Sequence, residues 1–224
     1  MSNNHSAKGR LTAEERRNQI IEKAAEVFAV HGVAGTRTRD IAEACGINEA
    51  LLYRHFPSKD DLYREAMLHA FDQAATGWRE LAESQPTGLL GLVAILKRQL
   101  GLLSQNPVLA ANMWHGVASA THDPIMRELI RDRFDKGHRL LAELVRKGQA
   151  DGSVSETAQP DRTAWFTRGI VWIFILRTVL DQEEGPTITS AEDFCASFLE
   201  KLAPLQTDIT EACENLQKAE DEGN

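Results

Sequence analysis

The sequence predicts an all-α fold of about nine helices. Alternating runs of valine, isoleucine and threonine are nearly absent, and no Asn-Gly dipeptide marks a hairpin. Helix-capping sequences recur instead, and a proline opens three of the predicted helices, at Pro107, Pro124 and Pro160. These observations disfavour any fold built around a sheet.

The first two helices are predicted from the signals at their ends. Thr12-Ala13-Glu14-Glu15 forms a capping box, and apolar residues at helical spacing extend the first helix to His31-Gly32. Thr38 is expected to cap a second helix of barely two turns. Gly46 would then end that helix in the left-handed conformation that glycine adopts without strain.

The remaining helices are predicted from similar start and stop signals. Asn48 is expected to cap a third helix that ends at Pro57, and a fourth begins at Ser58 and continues to about Ser84. Proline and polar loop residues separate the rest. We predict further helices at about Thr87 to Ser104, Pro107 to Ala120, Pro124 to Ala150, Pro160 to Asp181 and Ser190 to Ala203.

The net charge of −8 argues at first against a nucleic-acid partner. Residues 1–65, however, hold ten basic and ten acidic residues, so the whole acidic excess lies in residues 66–224. Phosphate binding depends on the local field rather than on the sum over the chain. The charge therefore excludes no partner.

The cysteines and the apolar runs indicate a soluble protein of the cytoplasm. Cys45, Cys195 and Cys213 are odd in number and widely spaced, which indicates reduced thiols rather than a disulfide framework or a metal site. The N-terminus lacks the apolar core of a signal peptide, and the longest apolar run, Ile170 to Leu176, is too short to span a bilayer. We expect no membrane partner.

The second and third helices resemble the two halves of a helix-turn-helix supported by a long first helix. At about 100° per residue, Leu52 and Phe56 share the inner side of the third helix, while Ala50, Tyr53 and Arg54 lie on the other side. A short helix with a polar, aromatic outer face fits the width of a DNA major groove.

The neighbouring polar residues would then hold the DNA backbone. Thr38, Tyr53 and His55 offer hydrogen-bond donors, and Lys59 lies in the first turn of the fourth helix, where exposed amides also favour an anion. We predict phosphate contacts from these four residues.

The stretch TRTRDIAEACGINEALLYRHFPSKDDLYREAM resembles the DNA-binding domain of the TetR family of bacterial transcriptional regulators. The resemblance covers about residues 14–67 and implies a homodimer that binds a palindromic operator on double-stranded DNA. It also implies a small-molecule pocket in the second domain. Position by position, it assigns phosphate contacts to Thr38, Tyr53, His55 and Lys59, and base reading to Arg39, Asn48, Glu49 and Ala50.

Two residues depart from the commoner family pattern. Glu49 is acidic where a neutral or basic residue is frequent, and Leu51 replaces a small hydroxyl residue. Glu49 either accepts from cytosine N4 or only stabilises the helix N-terminus, while Leu51 is placed to touch a thymine methyl. Arg39 has a competing partner in Glu43, four residues on.

The second domain is expected to form the dimer. The stretch AWFTRGIVWIFILRTVLD is apolar on almost every side, so one buried face does not account for it. We predict that the helices at about 160–181 and 190–203 pack against a second copy in a four-helix bundle. The alternative is burial of this helix within one monomer.

Candidate residues for the implied pocket are mostly aromatic, and each has an alternative place in the core. His115 and Arg168 are the polar members, since a charge among aromatic rings needs a partner in the protein or in a ligand. The complete set is Trp78, Met113, Trp114, His115, Phe134, Trp165, Arg168 and Trp172.

The predicted organisation is a flexible N-terminus (1–10), a helix-turn-helix domain (11–57), a ligand-binding and dimerisation domain (58–205, with a connecting helix at 58–84) and a disordered acidic tail (206–224). We expect a repressor released by an unknown small-molecule effector. Alternatives are a regulator or activator without an inducer, and an all-α interaction or ligand-binding protein that does not bind DNA. No catalytic constellation is visible, so we expect no enzyme, no cofactor and no bound metal.

Overall fold

A computed structural model describes residues 11–180 and 202–203. All regular structure in that part of the chain is helical, which confirms the predicted all-α class. The chain divides into two units, residues 1–69 and residues 70–224. Within the described residues, no helix has the length and apolar character that crossing a membrane would require.

The first unit contains three helices, α1 (Ala13–Gly35), α2 (Thr38–Ala44) and α3 (Glu49–His55), and the larger part of α4 (Lys59–Ala75). The predicted capping box is confirmed: the Thr12 hydroxyl accepts from the Glu15 amide at 3.1 Å, and the Glu15 carboxylate accepts from the Thr12 amide at 2.7 Å. Gly32 has a positive φ of 61° and interrupts α1 where the sequence predicted its end.

Helix α2 ends as predicted but does not begin as predicted. Gly46 adopts the expected left-handed conformation, with φ of 64°. Thr38, however, does not cap α2. The helix begins at Thr38, and the N-cap is Arg37, whose amide donates to the Asp40 carboxylate at 3.2 Å. The Thr38 hydroxyl bonds to Glu49 and not to its own helix.

The core of the first unit forms where the three inner helix faces meet. Ile20 and Phe28 of α1 and Leu52 and Phe56 of the α3 end are completely buried. Tyr63 of α4 packs edge-on against Phe28, with ring centroids 5.1 Å apart. The start of α4 therefore belongs with the first unit, and the unit ends twelve residues after the predicted domain boundary at residue 57.

The predicted fourth helix, Ser58 to about Ser84, is in fact two helices. Gly77 has φ of 73°, a left-handed conformation that ends α4 after Ala75 and precedes α5 (Trp78–Glu83). The Thr76 hydroxyl donates to the Asp72 carbonyl at 2.7 Å, within the last turn of α4. The prediction was wrong because apolar residues keep their helical spacing on both sides of this glycine.

Four longer helices complete the described part of the second unit: α6 (Gly88–Gln105), α7 (Pro107–Ser119), α8 (Pro124–Asp151) and α9 (Pro160–Val179). They start within one residue of the predicted positions. Helices α6 and α8 approach closely at Gly88, where a Cβ would stand 2.1 Å from the Gly148 amide nitrogen. Glycine is the residue that permits such a backbone contact.

Three predicted segments lie outside the described residues. They are the N-terminal residues 1–10, the acidic tail 206–224 and nearly all of the helix expected at 190–203. Of that helix only Leu202 and Ala203 are described, and both are buried. The Leu202 carbonyl accepts from the Ser155 amide at 2.6 Å.

Candidate nucleic-acid interface and ligand cavity

Helix α3 presents the two faces that the sequence predicted. Leu52 is buried against the core, whereas Ala50, Tyr53 and Arg54 are exposed, and 47% of the Tyr53 surface is accessible. Tyr53 therefore has a free aromatic side chain on the outer surface of the first unit. His55, at the end of the helix, is half-buried.

Asn48 is exposed and begins α3 as its N-cap. Its side-chain oxygen accepts from the Leu51 amide at 2.8 Å, so the cap is confirmed. This bond fixes the direction of the first helical turn, which carries Glu49 and Ala50. The Asn48 amide group retains its N–H donors for an outside acceptor.

Thr38 and Glu49 are bonded to each other. The Thr38 hydroxyl donates to Glu49 Oε2 at 2.8 Å and thereby links the first residue of α2 to the first residue of α3. A hydroxyl has a single donor, so Thr38 must break this bond to donate to a phosphate. Sequence reasoning missed this pair, which lies eleven residues apart along the chain.

Lys59 has a structural role in addition to its predicted one. Its ammonium donates to the carbonyl oxygens of Val33 at 2.8 Å and Thr36 at 3.0 Å, and so satisfies the C-terminal end of α1. An ammonium has three donors, so one remains for an anion.

Arg39 is exposed near the start of α2 and has the competing partner that the sequence suggested. Its Nε lies 3.9 Å from Oε1 of Glu43, and both side chains are largely accessible. An exposed pair of this kind contributes about 0.3–0.5 kcal/mol. It leaves the guanidinium available for another acceptor.

The second unit contains a partly open cavity of about 150 Å³ between α6, α7, α8, α9 and the residues around the α4–α5 turn. Its lining is mainly aromatic and aliphatic. The lining residues are Phe71, Asp72, Ala74, Ala75, Trp78, Ile95, Leu96, Gln99, Met113, Arg133, Phe134, Lys136, Gly137, Leu141, Thr167, Arg168, Val171 and Trp172.

The structure brings together five of the eight predicted pocket residues: Trp78, Met113, Phe134, Arg168 and Trp172. Trp114, His115 and Trp165 do not line this cavity. Trp114 and His115 follow Met113 on α7, and each further residue turns about 100° away from the face that Met113 shares with the cavity. Trp165 is 62% exposed and packs against His138, with ring centroids 5.3 Å apart.

Sequence reasoning missed several polar lining residues. Asp72 and Arg133 form a bidentate ion pair, with distances of 2.8 Å from Nε to Oδ1 and 2.7 Å from Nη2 to Oδ2. Gln99 of α6 is buried, with 2% of its surface exposed. The residues of the ion pair are sixty-one positions apart, so no local pattern connects them. Gln99 could have been noticed in the sequence, because a polar residue within an apolar helix is unusual.

Arg168 is the unusual charge in this cavity. Its guanidinium carbon lies 4.0 Å from the centroid of the Phe134 ring, and Nη1 donates to the Phe134 carbonyl at 3.0 Å. Burial lowers the pKa of Arg168 to about 10, although the exposed carboxylate of Asp135 opposes this shift. The side chain therefore remains a cation at neutral pH.

Three buried polar atoms of the cavity residues have no hydrogen-bond partner among residues 11–180 and 202–203: Trp78 Nε1, Gln99 Oε1 and Arg168 Nε. Leaving one buried donor or acceptor unpaired costs about 1–3 kcal/mol. Native proteins contain few such atoms, and a bound water, ion or ligand is one explanation for an unpaired group. The cavity has the polar groups to bind one.

Helix α9 has a second face with apolar side chains that stay exposed in the described part of the chain. Thr163, Ala164, Ile170 and Phe174 are buried in the second unit. Large apolar side chains on the remaining face are exposed over the length of the helix. They are Trp165, Phe166, Ile173, Leu176 and Leu180, and their exposed fractions range from 40% to 62%.

Two family models match this chain. The first, described as bacterial regulatory proteins of the tetR family, matches residues 20–66, which include all of α2 and α3. The second, described as the C-terminal domain of BetI-type transcriptional repressors, matches residues 91–204 and thus just over half of the chain.

Curated relatives and solved structures agree with these matches. The transcriptional repressor KstR2 of Mycolicibacterium smegmatis is 22% identical over 160 residues, which are 71% of this chain and 78% of the relative. A protein from Saccharomonospora viridis, described as a transcriptional regulator in complex with choline, has a TM-score of 0.75 at 24% identity, with 85% of this chain and 99% of that chain covered. FadR from Bacillus subtilis in complex with stearoyl-CoA has a TM-score of 0.68 at 19% identity, with 83% and 97% covered.

Proposed function

This chain belongs to the tetR family of bacterial regulatory proteins, and from that premise we propose that it is a homodimeric repressor that leaves its operator when a small molecule occupies the cavity. Membership makes it a DNA-binding transcriptional regulator. It would act in the cytoplasm, where bacterial DNA lies. The sign of regulation, the release mechanism and the individual residue roles are parts of the proposal.

The outward face of α3 is the observation that carries the proposal. A capped helix of seven residues stands on a fully buried base of Leu52 and Phe56 and directs Tyr53 and Ala50 to the surface. A helix of this size fits the major groove, where residues of the first turn reach the base edges. We assign base reading to Arg39, Asn48, Glu49 and Ala50.

The phosphate contacts are assigned to residues at the edges of that face: Thr38, Tyr53, His55 and Lys59. Tyr53 has an exposed side chain that carries a hydroxyl, and Lys59 has one donor beyond the two that its backbone bonds use. Thr38 reaches a phosphate if DNA binding exchanges its bond to Glu49. Such contacts position the protein without reading sequence.

The exposed apolar face of α9 supports the homodimer. Contiguous apolar side chains on a surface mark an interaction site, and a two-fold interface buries the same patch on both copies. We propose that this face, with the segment predicted as a helix at 190–203, forms the dimer. Two recognition helices would then address half-sites about 34 Å apart on a palindromic operator.

Helix α4 supports a connection between effector and DNA. Its first residue, Lys59, lies in the first unit, and its last turn supplies Phe71, Asp72, Ala74 and Ala75 to the cavity wall. An effector that binds one position of this turn more tightly would shift the population of DNA-competent dimers. A coupling of about 1–3 kcal/mol would change DNA affinity about 5- to 150-fold.

Selection from random double-stranded DNA with the full-length protein tests the proposal. We expect a palindromic consensus and an affinity that falls steeply with salt, as phosphate contacts require. A protein that enriches no sequence, or whose binding is insensitive to salt, would refute the DNA-binding assignment and favour a protein-interaction role.

An activator, or a regulator without an inducer, is the remaining alternative. A reporter gene behind the selected operator separates these cases, because a repressor raises reporter output when its gene is deleted, whereas an activator lowers it. A regulator without an inducer would keep its DNA affinity when compounds that occupy the cavity are added. The unpaired polar atoms in the cavity favour an effector.

A further inference from the structure

The unpaired atoms of the cavity define what a ligand must offer. Trp78 Nε1 and Arg168 Nε are both N–H donors, and they come from α5 and α9. Neither nitrogen can accept a hydrogen bond in these side chains. A ligand that pairs with them must therefore offer acceptor atoms, and Gln99 Oε1 is the one unpaired acceptor among the three atoms.

The charges of the cavity favour an anion over a cation. Among the charged lining residues, Asp72 is paired with Arg133, and Lys136 lies 2.7 Å from Asp132. In the described part of the chain, Arg168 forms no ion pair with a carboxylate: it contacts the Phe134 ring and the Phe134 carbonyl, and the exposed Asp135 carboxylate acts on it only beyond hydrogen-bond distance. Aromatic rings can hold a quaternary ammonium, but here the Phe134 ring already contacts a cation.

We infer that the cavity binds a small organic acid with a compact apolar body, and that its carboxylate accepts hydrogen bonds from Arg168 Nε and the Trp78 indole N–H. The inference rests on the proposed role of this cavity as the effector site. A volume of about 150 Å³ suits a body of the size of a benzene ring, and Ile95, Leu96 and Val171 provide an apolar lining.

Gly137 on α8 makes room for both donor side chains. A Cβ at this position would lie 2.9 Å from Arg168 Nη1 and 3.2 Å from Trp78 Cζ3. Alanine favours a helix more than glycine does, and the nearest atom is the movable end of a long side chain. Gly137→Ala should therefore displace the guanidinium while the fold remains stable, which separates ligand binding from folding.

Calorimetric titration of the whole 224-residue chain with a matched panel of compounds tests the inference. Phenylacetate, its neutral isostere phenylacetamide and the cation phenyltrimethylammonium share a ring but differ in charge, and choline is added as a non-aromatic cation. We expect phenylacetate to bind about tenfold to a hundredfold more tightly than phenylacetamide, as hydrogen bonds to a charged group imply. Neither cation should bind more tightly than the amide.

Three variants test which residues cause the difference in affinity between phenylacetate and phenylacetamide. Arg168→Met should reduce the affinity for phenylacetate to that for phenylacetamide, and Gly137→Ala should weaken phenylacetate binding in the same direction. Arg162→Met, which removes an exposed arginine from the same helix, is the matched control and should bind the acid like wild type. If Arg168→Met does not fold, Gly137→Ala and the indole signal decide the question.

The indole signal is an independent readout. In the ¹⁵N–¹H spectrum, the Trp78 indole resonance, assigned by its loss in Trp78→Phe, should shift downfield with phenylacetate more than with phenylacetamide. Equal affinities for acid and amide, tighter binding of either cation, or an unchanged Trp78 resonance at saturation would overturn the inference. So would the failure of phenylacetate, benzoate and hexanoate all to bind at millimolar concentration.

The same samples distinguish this inference from the proposed function. Release of operator DNA by a neutral or cationic compound, without any preference for acids, would refute only the inference. Acid selectivity in a protein that selects no DNA sequence would refute the proposed repressor and leave the carboxylate site standing.

Discussion

The close contact between α6 and α8 gives a stability prediction that the structure makes quantitative. Gly88 is buried at the first residue of α6, and a Cβ there would stand 2.1 Å from the Gly148 nitrogen and 2.3 Å from the Leu144 carbonyl oxygen. Both obstacles are backbone atoms of α8, so no side-chain rotation relieves them. Gly88→Ala must move one helix away from the other.

The expected cost follows from this displacement. Ordinary carbon contacts begin near 3.4 Å, so the helices must part by about 1.3 Å at this point. A radial gap of roughly 1 Å forfeits up to about half of the dispersion energy of each contact that it opens. The shift also strains the bond from the Gly88 amide to Asp151 Oδ2, now 2.8 Å. Overpacking costs about 1–3 kcal/mol and the loss of a charged hydrogen bond about 1.5–3 kcal/mol, so we expect about 3 kcal/mol, near the lower end of their sum.

Tryptophan fluorescence reports on the unfolding of the second unit, which contains Gly88, because all four tryptophans lie beyond residue 70. At about 2–4 °C per kcal/mol for a unit of this size, Gly88→Ala should lower the melting temperature by about 6–12 °C.

Gly101→Ala is the matched control on the same helix, since a Cβ there meets nothing within 4 Å. It should raise stability by up to about 1 kcal/mol through helix propensity. If the two variants changed the melting temperature equally and in the same direction, the argument from helix contact would be refuted.

Three further predictions concern the first unit. Tyr53→Phe should weaken binding to every DNA sequence in an anisotropy titration while the free energy of unfolding changes by less than about 0.5 kcal/mol, and a sequence-dependent loss would assign Tyr53 to base reading instead. Thr38→Val and Glu49→Ala, compared with the double variant in urea unfolding, should show a coupling of about 0.5–1.5 kcal/mol, whereas additive losses would mean that their hydrogen bond contributes nothing. Burial raises the pKa of the Cys45 thiol, so less thiolate is present at pH 8. Iodoacetamide should therefore modify Cys45 more slowly in the native protein than in urea, which mass spectrometry of the Cys45 peptide measures. Equal rates would contradict this reasoning.

Local sequence patterns were sufficient to predict most of the helices. The capping box at Thr12, the cap at Asn48 and the left-handed Gly46 each involve residues within four positions of one another. Backbone groups at a helix end are satisfied by near neighbours, so these signals need no knowledge of the rest of the chain. The helical period likewise separated buried Leu52 from exposed Tyr53.

The break at Gly77 shows where local patterns became insufficient. A glycine inside an apolar helical pattern is compatible with a weak helix or with a helix end, and the sequence does not distinguish them. The choice depends on the packing of the next segment. In the structure, α5 starts at Trp78 and brings its indole ring to the cavity.

The sequence by itself determined the helical class and the two short helices α2 and α3, with Tyr53 on the outer face of α3. It also supplied the aromatic residues from which a cavity could be built. Only the tertiary structure decided that Arg168, Trp78 and Gln99 line one cavity with unpaired atoms, that Lys59 caps the end of α1, and that Trp165 is excluded from the cavity. The physical reason is distance along the chain: caps and helix faces depend on bonds and angles within one or two turns, whereas this cavity depends on the packing of helices whose residues, such as Phe71 and Trp172, lie 101 positions apart.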